Sequence, residues 1–209
     1  MHNMEYEILF EDNHLLVVYK SRGILSQSDI SGKLDLLTML KNYLKVKYNK
    51  PGEAYLGLVH RLDRNTSGVM VFAKTSKAAA RLSKAIVDKE FVKKYHAIVE
   101  GKVSSGTLKD LIYKNEEERK SYVNKKGKEA VLHYSKIEEQ TINNVKCTLI
   151  DIKLETGRFH QIRCQMANMG HPLFGDTKYG SKHNYDYILD CYSLSFPHPI
   201  TKEMLTFTH

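Results

Sequence analysis

Residues Leu58–Lys74 read LVHRLDRNTSGVMVFAK. An apolar lead-in meets a charged knot, His60-Arg61-Leu62-Asp63-Arg64, and the small residues Thr66-Ser67-Gly68 then open a second apolar run, VMVFA. Two short apolar runs bounded by turn residues are the pattern of two core strands joined through a loop. That loop carries one carboxylate between two guanidiniums. Two readings of Asp63 stand at this point. In the first it caps a turn or makes a salt bridge while the arginines face water. In the second a guanidinium holds it ionised in a restricted site, where it serves as nucleophile or base. The Thr-Ser-Gly turn, where backbone can approach a ligand closely, favours the second. So does a further cationic cluster downstream, GRFHQIRCQ at residues 157–165.

The chain has 209 residues, enough for one domain with a real core or two small lobes sharing a sheet. The expectation is a single domain over residues 1–209. Hydrophobic residues at 42% and charged residues at 27% fit a globular protein rather than a disordered one. No apolar stretch is long enough to cross a bilayer. The opening, MHNMEYEILFEDNHLLVVYK, lacks a basic leader and is interrupted by acids, so a cytoplasmic location is expected. Cys147, Cys164 and Cys191 are odd in number and form no C-x-x-C pair, which reads as reduced thiols filling space. Cys164 lies four residues after His160, a spacing able to bind metal on a helix, but no second pair completes a site. The net charge of +8 and pI near 9.2 suit a polyanionic partner, above all nucleic acid. They suit a plain solvated surface as well.

Outward from the knot, EILFEDNHLLVVYK predicts two strands around Glu11-Asp12-Asn13. LDLLTMLKNYLKVKY spaces Leu37, Met39, Leu40 and Leu44 as an amphipathic helix, which Lys50-Pro51-Gly52 ends. LGLVH and GVMVFAK read as strands. Thr75-Ser76 caps a helix with Ala78, Leu82, Ala85 and Ile86 on one face. FVKKYHAIVEG returns to strand, with Tyr95 on the side of Ala97 and Val99, opposite Lys94, His96 and Ile98. A core tyrosine and a catalytic one are both open there. GTLKDLIY is a strand, and residues 114–128, KNEEERKSYVNKKGK, read as a polar loop. EAVLHYSKIEE and VKCTLIDIKLE pair as a hairpin around Ile142-Asn143-Asn144. RFHQIRCQMANMG is a short helix closed by Gly170. Its first amides, near Gly157 and Arg158, are candidates to hold a phosphate. CYSLSFPHPITKEMLTF ends the chain in two strands. Many strands, short turns and few helices predict an α+β fold: a mostly antiparallel mixed sheet flanked by helices and loops.

HRLDRNTSGVMVFAKT resembles the H-R-L-D-x-x-T-S-G signature of the RluA-type pseudouridine synthases. KKYHAIVEG resembles the family's K-x-Y-x-A-x-V-x-G segment. LETGRFHQIRCQMANMGHPLFGDTKYG resembles its T-G-R-x-H-Q-I-R and G-H-P-x-x-G-D-x-x-Y-G blocks. The opening strands, GKEAVLHY and LSFPHPIT match too, in order over nearly the whole chain. The resemblance implies the pseudouridine synthase catalytic fold with a central RNA-binding cleft. It implies isomerisation of uridines in ribosomal or transfer RNA to pseudouridine, without cofactor or metal. Asp63 would be the essential carboxylate. Tyr95 would stack on the uracil and is a candidate base. Arg163 would pair with Asp63 and keep it charged. Arg61 would help open the RNA and fill the space left by the flipped nucleotide, and Arg64, His160 and Gln161 are further substrate-contact candidates. Whether Asp63 attacks the ribose, attacks the ring or removes a sugar proton stays open. Glycosidases that consume water use two carboxylates; an isomerase need not. Asp176, the nearest rival acid, sits in a glycine-bounded turn suited to fixing a loop. RNA is the expected partner, with no membrane, no obligate protein partner and a monomeric state. Lys93, Lys94 and the basic stretch Arg119–Lys128 are candidate RNA contacts; for that stretch plain solvation is an equal reading.

The chain departs from the pattern in places. Lys20-Ser21-Arg22-Gly23 stands where the family often reads K-P-x-G, and Asp190-Cys191 where many relatives have His-Ala. No separate N-terminal RNA-binding domain is expected, so RNA affinity falls to the catalytic domain itself.

Overall fold

The computed structural model describes residues 5–29, 32 and 35–209. Met1–Met4 of the opening stretch and Leu34, which leads the first expected helix, lie outside the described residues. In chain order the elements begin β1 (Tyr6–Glu11), β2 (Leu15–Lys20), α1 (Leu36–Lys47), β3 (Gly57–Leu58), β4 (Ser67–Ala73) and α2 (Ser76–Val87). They continue β5 (Val92–Glu100), β6 (Gly106–Asn115), β7 (Lys120–Val123), β8 (Lys128–Ile142), β9 (Val145–Leu154) and α3 (Gln161–Asn168). β10 (Leu189–Pro197) and β11 (Met204–Thr208) close the chain. The fold is α+β, and the chain divides into two compact units, residues 1–92 with 191–209, and residues 93–190.

In the first unit the strand order is β1-β2-β4-β10, with β3 beside β4 and β11 beside β10. β1–β2, β2–β4, β3–β4 and β10–β11 are antiparallel. β2 and β4 are buried on both faces, which is why LLVV and VMVFA read as unbroken apolar runs rather than alternating ones. Leu15 and Val17 share a face with Val71 and Ala73 and pack with Ala78, Leu82, Leu194 and Phe196 into a core. Asp35 caps α1 by accepting from the Thr38 amide, and Thr75 caps α2 by accepting from the Ala78 amide. Leu36 is fully buried on α1 and Leu37 only half-buried, one position from the expected face. The strand expected over LGLVH shrinks to Gly57–Leu58, because only those two residues find ladder partners, Ala73 and Phe72. Gly68 has φ +133, and a Cβ on it would stand 2.5 Å from the backbone nitrogen of Cys191, so the signature glycine is required by close approach. Cys191 is fully buried there.

In the second unit the order is β5-β9-β8-β6-β7, and these pairings are antiparallel. Asn143 and Asn144, both at positive φ, form the two-residue connection between Ile142 and its partner Val145, as a tight hairpin of this twist demands. Tyr95, Ala97 and Val99 are buried as the alternation predicts, and Ile98 is buried as well in a second small cluster with Cys147 and Phe174.

The polar stretch 114–128 is not wholly loop. Lys120–Val123 forms β7, a hairpin partner of β6 in the register Ile112↔Val123 to Asn115↔Lys120. The composition hides this strand because its buried position is a serine, Ser121, at 1% exposure. α3 also starts later than expected, at Gln161. The Arg158 amide is therefore not a helix-terminal donor; it donates to Gln161 Oε1 at 2.9 Å, which removes the phosphate cradle expected there. The end is as anticipated. Gly170, at φ +89, donates to the Ala167 carbonyl, and His171 donates to the Met166 carbonyl, a Schellman closure.

Candidate active site

The loop that bears Asp63 is held from several sides within the first unit. The Ser26 hydroxyl donates to the Leu62 carbonyl at 2.7 Å and accepts from the Leu62 amide at 3.2 Å. His60 Nε2 accepts from the Val71 amide at 3.1 Å. Thr66 N–H closes a turn on the Asp63 carbonyl at 3.1 Å. The Gly23 amide donates to the Arg64 carbonyl, and Arg64 Nε returns a bond to the Gly23 carbonyl at 3.0 Å. Asp63 itself is half-buried, while Arg61 and Arg64 are exposed.

Lys20 anchors this loop. Its side chain is fully buried, and the ammonium donates to the carbonyls of Ser21 at 3.1 Å, Ile24 at 2.9 Å and Arg64 at 3.2 Å. Three donors meet three acceptors, so a charge otherwise costly to bury is fully hydrogen-bonded. Burial lowers its pKa to about 8, against the attraction of Asp63, which supports the charged form. The turn that lacks the family's proline is thus tied down by the lysine before it. Sequence reasoning passed over Lys20 because a strand-terminal lysine normally faces water.

In the second unit Arg163 projects from α3 and is 6% exposed. Its Nε donates to Asp176 Oδ2 at 2.7 Å and its Nη2 to Asp176 Oδ1 at 2.9 Å. The rings of Tyr179 and Tyr187 each lie 4.8 Å from its central carbon. The carboxylate fixes the guanidinium in its plane, and the rings contact it by cation–π attraction. Asp176 is a loop-fixing residue as read from its turn, with the addition that what it fixes is Arg163. Tyr187 belongs to no motif and carried no signal.

His160 precedes α3 at φ +52, a left-handed conformation for a non-glycine residue. Its ring stacks on Phe159 at 3.8 Å, and its Nδ1 lies 2.9 Å from the Tyr179 hydroxyl. Burial, reinforced by Arg163, Lys178 and Lys114, lowers its pKa to about 3, so it is neutral near pH 7. Gln161 is committed within the chain: Oε1 accepts from the Arg158 amide and the Thr156 hydroxyl, and Nε2 donates to the Val131 carbonyl. Its geometry is that of a brace for the 156–161 turn. Cys164 packs with Ile112, Ala130 and Tyr179, and burial raises its thiol pKa to about 11, so it stays protonated. Lys178 is lowered by burial and by the charges of Arg163, Arg119 and Lys120, which marks a concentrated positive field. Tyr95 is 5% exposed on β5, opposite Ile152 of β9.

A family model described as RNA pseudouridylate synthase matches residues 14–168. The chain is 36% identical over 207 residues to the uncharacterized RNA pseudouridine synthase YhcT of Bacillus subtilis, covering 96% of this chain and 67% of that one. It is 33% identical over 224 residues to the ribosomal large subunit pseudouridine synthase D of Vibrio cholerae, covering 98% and 68%. The solved structure of human RNA pseudouridylate synthase domain containing 4 shares the fold, with a TM-score of 0.79 at 23% identity over 97% of this chain and 87% of the other. The chain belongs to the RNA pseudouridylate synthase family, of the RluA type, and is an isomerase of that class.

Proposed function

We propose that this protein converts specific uridines of ribosomal RNA to pseudouridine, with the target nucleotide flipped out of its stack and Asp63 as the essential carboxylate. In the reaction the bond from ribose C1′ to uracil N1 breaks and a bond from C1′ to C5 forms. The C5 proton leaves and N1 gains one, so the step is redox-neutral. The observation that carries the reading is the Asp63 loop: a carboxylate displayed at half-burial on a loop whose backbone is tied by Lys20, Ser26, His60 and Gly23. Such bracing suits a group that must meet a reacting atom. The name of the Vibrio cholerae relative supports ribosomal over transfer RNA as substrate.

Tyr95 stacks on the uracil and serves as the base candidate. Arg163, made rigid by Asp176 and two tyrosine rings, keeps the essential carboxylate charged. Arg61, exposed on the loop, fills the space of the extruded base, and Arg64 contacts the backbone nearby. Extrusion costs a few kcal/mol, offset by stacking and by these guanidiniums. Lys93, Lys94 and the basic residues Arg119–Lys128 bind phosphates. The enzyme acts as a cytoplasmic monomer without cofactor, and its residues 1–209 work as a single catalytic domain. Among the described residues no helix is long and apolar enough to cross a membrane.

The test is RNA carrying tritium at C5 of uracil. Isomerisation releases the label into water. A base-releasing hydrolase would liberate free uracil, and a binding protein would do neither; either result rejects the proposal.

A further inference from the structure

Tyr179 is 8% exposed, and four groups of the second unit close on it. Its oxygen accepts from the Ser121 amide of β7 at 2.8 Å. Its hydroxyl also shares a hydrogen bond with His160 Nδ1, 2.9 Å away, in which the imidazole tautomer decides which group donates. One ring contacts two cations, the Arg163 guanidinium at 4.8 Å and the Lys120 ammonium at 5.1 Å. Ser121 has a second tie: its hydroxyl donates to the Phe159 carbonyl at 2.6 Å, immediately before His160.

We propose that Tyr179 is a positioning residue for the isomerisation, tying the placement of the β6–β7 hairpin to the orientation of the Arg163 guanidinium and the His160 imidazole. The inference rests on the assignment of Arg163 to the reaction. The hairpin is exposed around the buried Ser121 and of mixed charge at its tip, where Glu116, Glu117, Glu118 and Arg119 face outward, and the exposed Lys125 and Lys126 follow it. A shift of that hairpin by bound RNA is delivered through Ser121 to the hydroxyl of Tyr179 and to the backbone at Phe159. The first route reaches both Arg163 and His160, and the second reaches His160.

The experiment compares Tyr179→Phe, which keeps the ring and removes the tie, with Tyr179→Leu, which removes both. Three quantities are read: single-turnover tritium release from a large-subunit ribosomal RNA transcript labelled at uracil C5, the Kd for that transcript, and the 15N signals of the His160 imidazole. Tyr179→Phe should slow release at saturating RNA by about ten- to a hundredfold, as small misplacements do. Its Kd should stay near wild type, and the single His160 tautomer should be lost. Tyr179→Leu should be slower still. Ser121→Ala, which leaves the phenol intact and cuts only the Phe159 tie, should slow release in the same direction and covers the case of a Tyr179 variant that does not fold. A wild-type rate with unaltered His160 signals overturns the proposal. A weaker Kd at unchanged rate overturns it too, reducing Tyr179 to RNA binding. If the wild-type protein releases no tritium, the ribosomal RNA reading fails, while the His160 signals still decide whether the tie exists.

Discussion

The guanidinium of Arg163 and the carboxylate of Asp176 meet through two parallel hydrogen bonds, 2.7 and 2.9 Å long, with both side chains more than nine-tenths buried. Burying such a pair gains little stability, because desolvation offsets the attraction. What it secures is direction: a planar fork gripped by two oxygens cannot swing.

Removing one partner leaves the other charge in a poor medium. Asp176→Ala should destabilise the protein by about 3–5 kcal/mol in urea unfolding. A loss below about 1 kcal/mol, the range of exposed pairs, would show that water reaches Arg163 freely.

Asp63→Asn should reduce tritium release roughly 10⁴-fold or more, as loss of an essential group does. Folding should survive, because the loop is tied through Lys20, Ser26 and backbone groups rather than through this carboxylate alone. Arg163→Met should also cripple turnover. Substantial activity in Asp63→Asn would reject the essential-carboxylate assignment.

Two groups make stability rise with pH in two separate windows. Glu11 accepts from Lys47, Lys74, Tyr43 and Tyr48, and although burial opposes it, these bonds bring its pKa down to about 2. Its contribution is fully present above the unfolded value near 4.5 and is lost as pH falls through about 2. Lys20 has a folded pKa near 8 against 10.5 unfolded, so between these values the unfolded chain holds more protons and stability rises with pH. Denaturant titrations of Glu11→Gln and Lys20→Met, each subtracted from wild type, should show these slopes at acid and alkaline pH; flat differences would refute both.

His160 should not titrate in the physiological range. Its imidazole NMR signals should stay constant from about pH 5 to 8, where an ordinary histidine passes through its midpoint near 6.5. A transition in that window would mean that the ring is hydrated and the Tyr179 bond absent.

RNA affinity should weaken steeply with salt, with a slope in log Kd of about 0.7 for each phosphate neutralised on single-stranded RNA. A flat response would show that the excess of lysine and arginine is not used on the substrate.

Much of the molecule was legible along the chain. β2 and β4 announce themselves because strands buried on both faces are continuous apolar runs. The caps Thr75 and Gly170 act within a few residues, so their chemistry is local. The family blocks, from H-R-L-D to G-D-x-x-Y-G, were likewise plain. β7 was not, since a strand whose buried residue is a serine looks like a loop until its amide finds Tyr179, 58 positions away. Nor was the three-residue delay in α3, which follows from the Gln161 side chain bracing the turn before it.

The residue order thus determined most of the strands and helices and the charged loop around Asp63, because periodicity and turn chemistry act between near neighbours, and its motif blocks carried the resemblance to the family. Only tertiary structure decided that Lys20 would be buried on three carbonyls and that Arg163 would be enclosed by Asp176, Tyr179 and Tyr187. Desolvation and ion pairing depend on which distant segments arrive at one place, and no local pattern in the chain records that arrival.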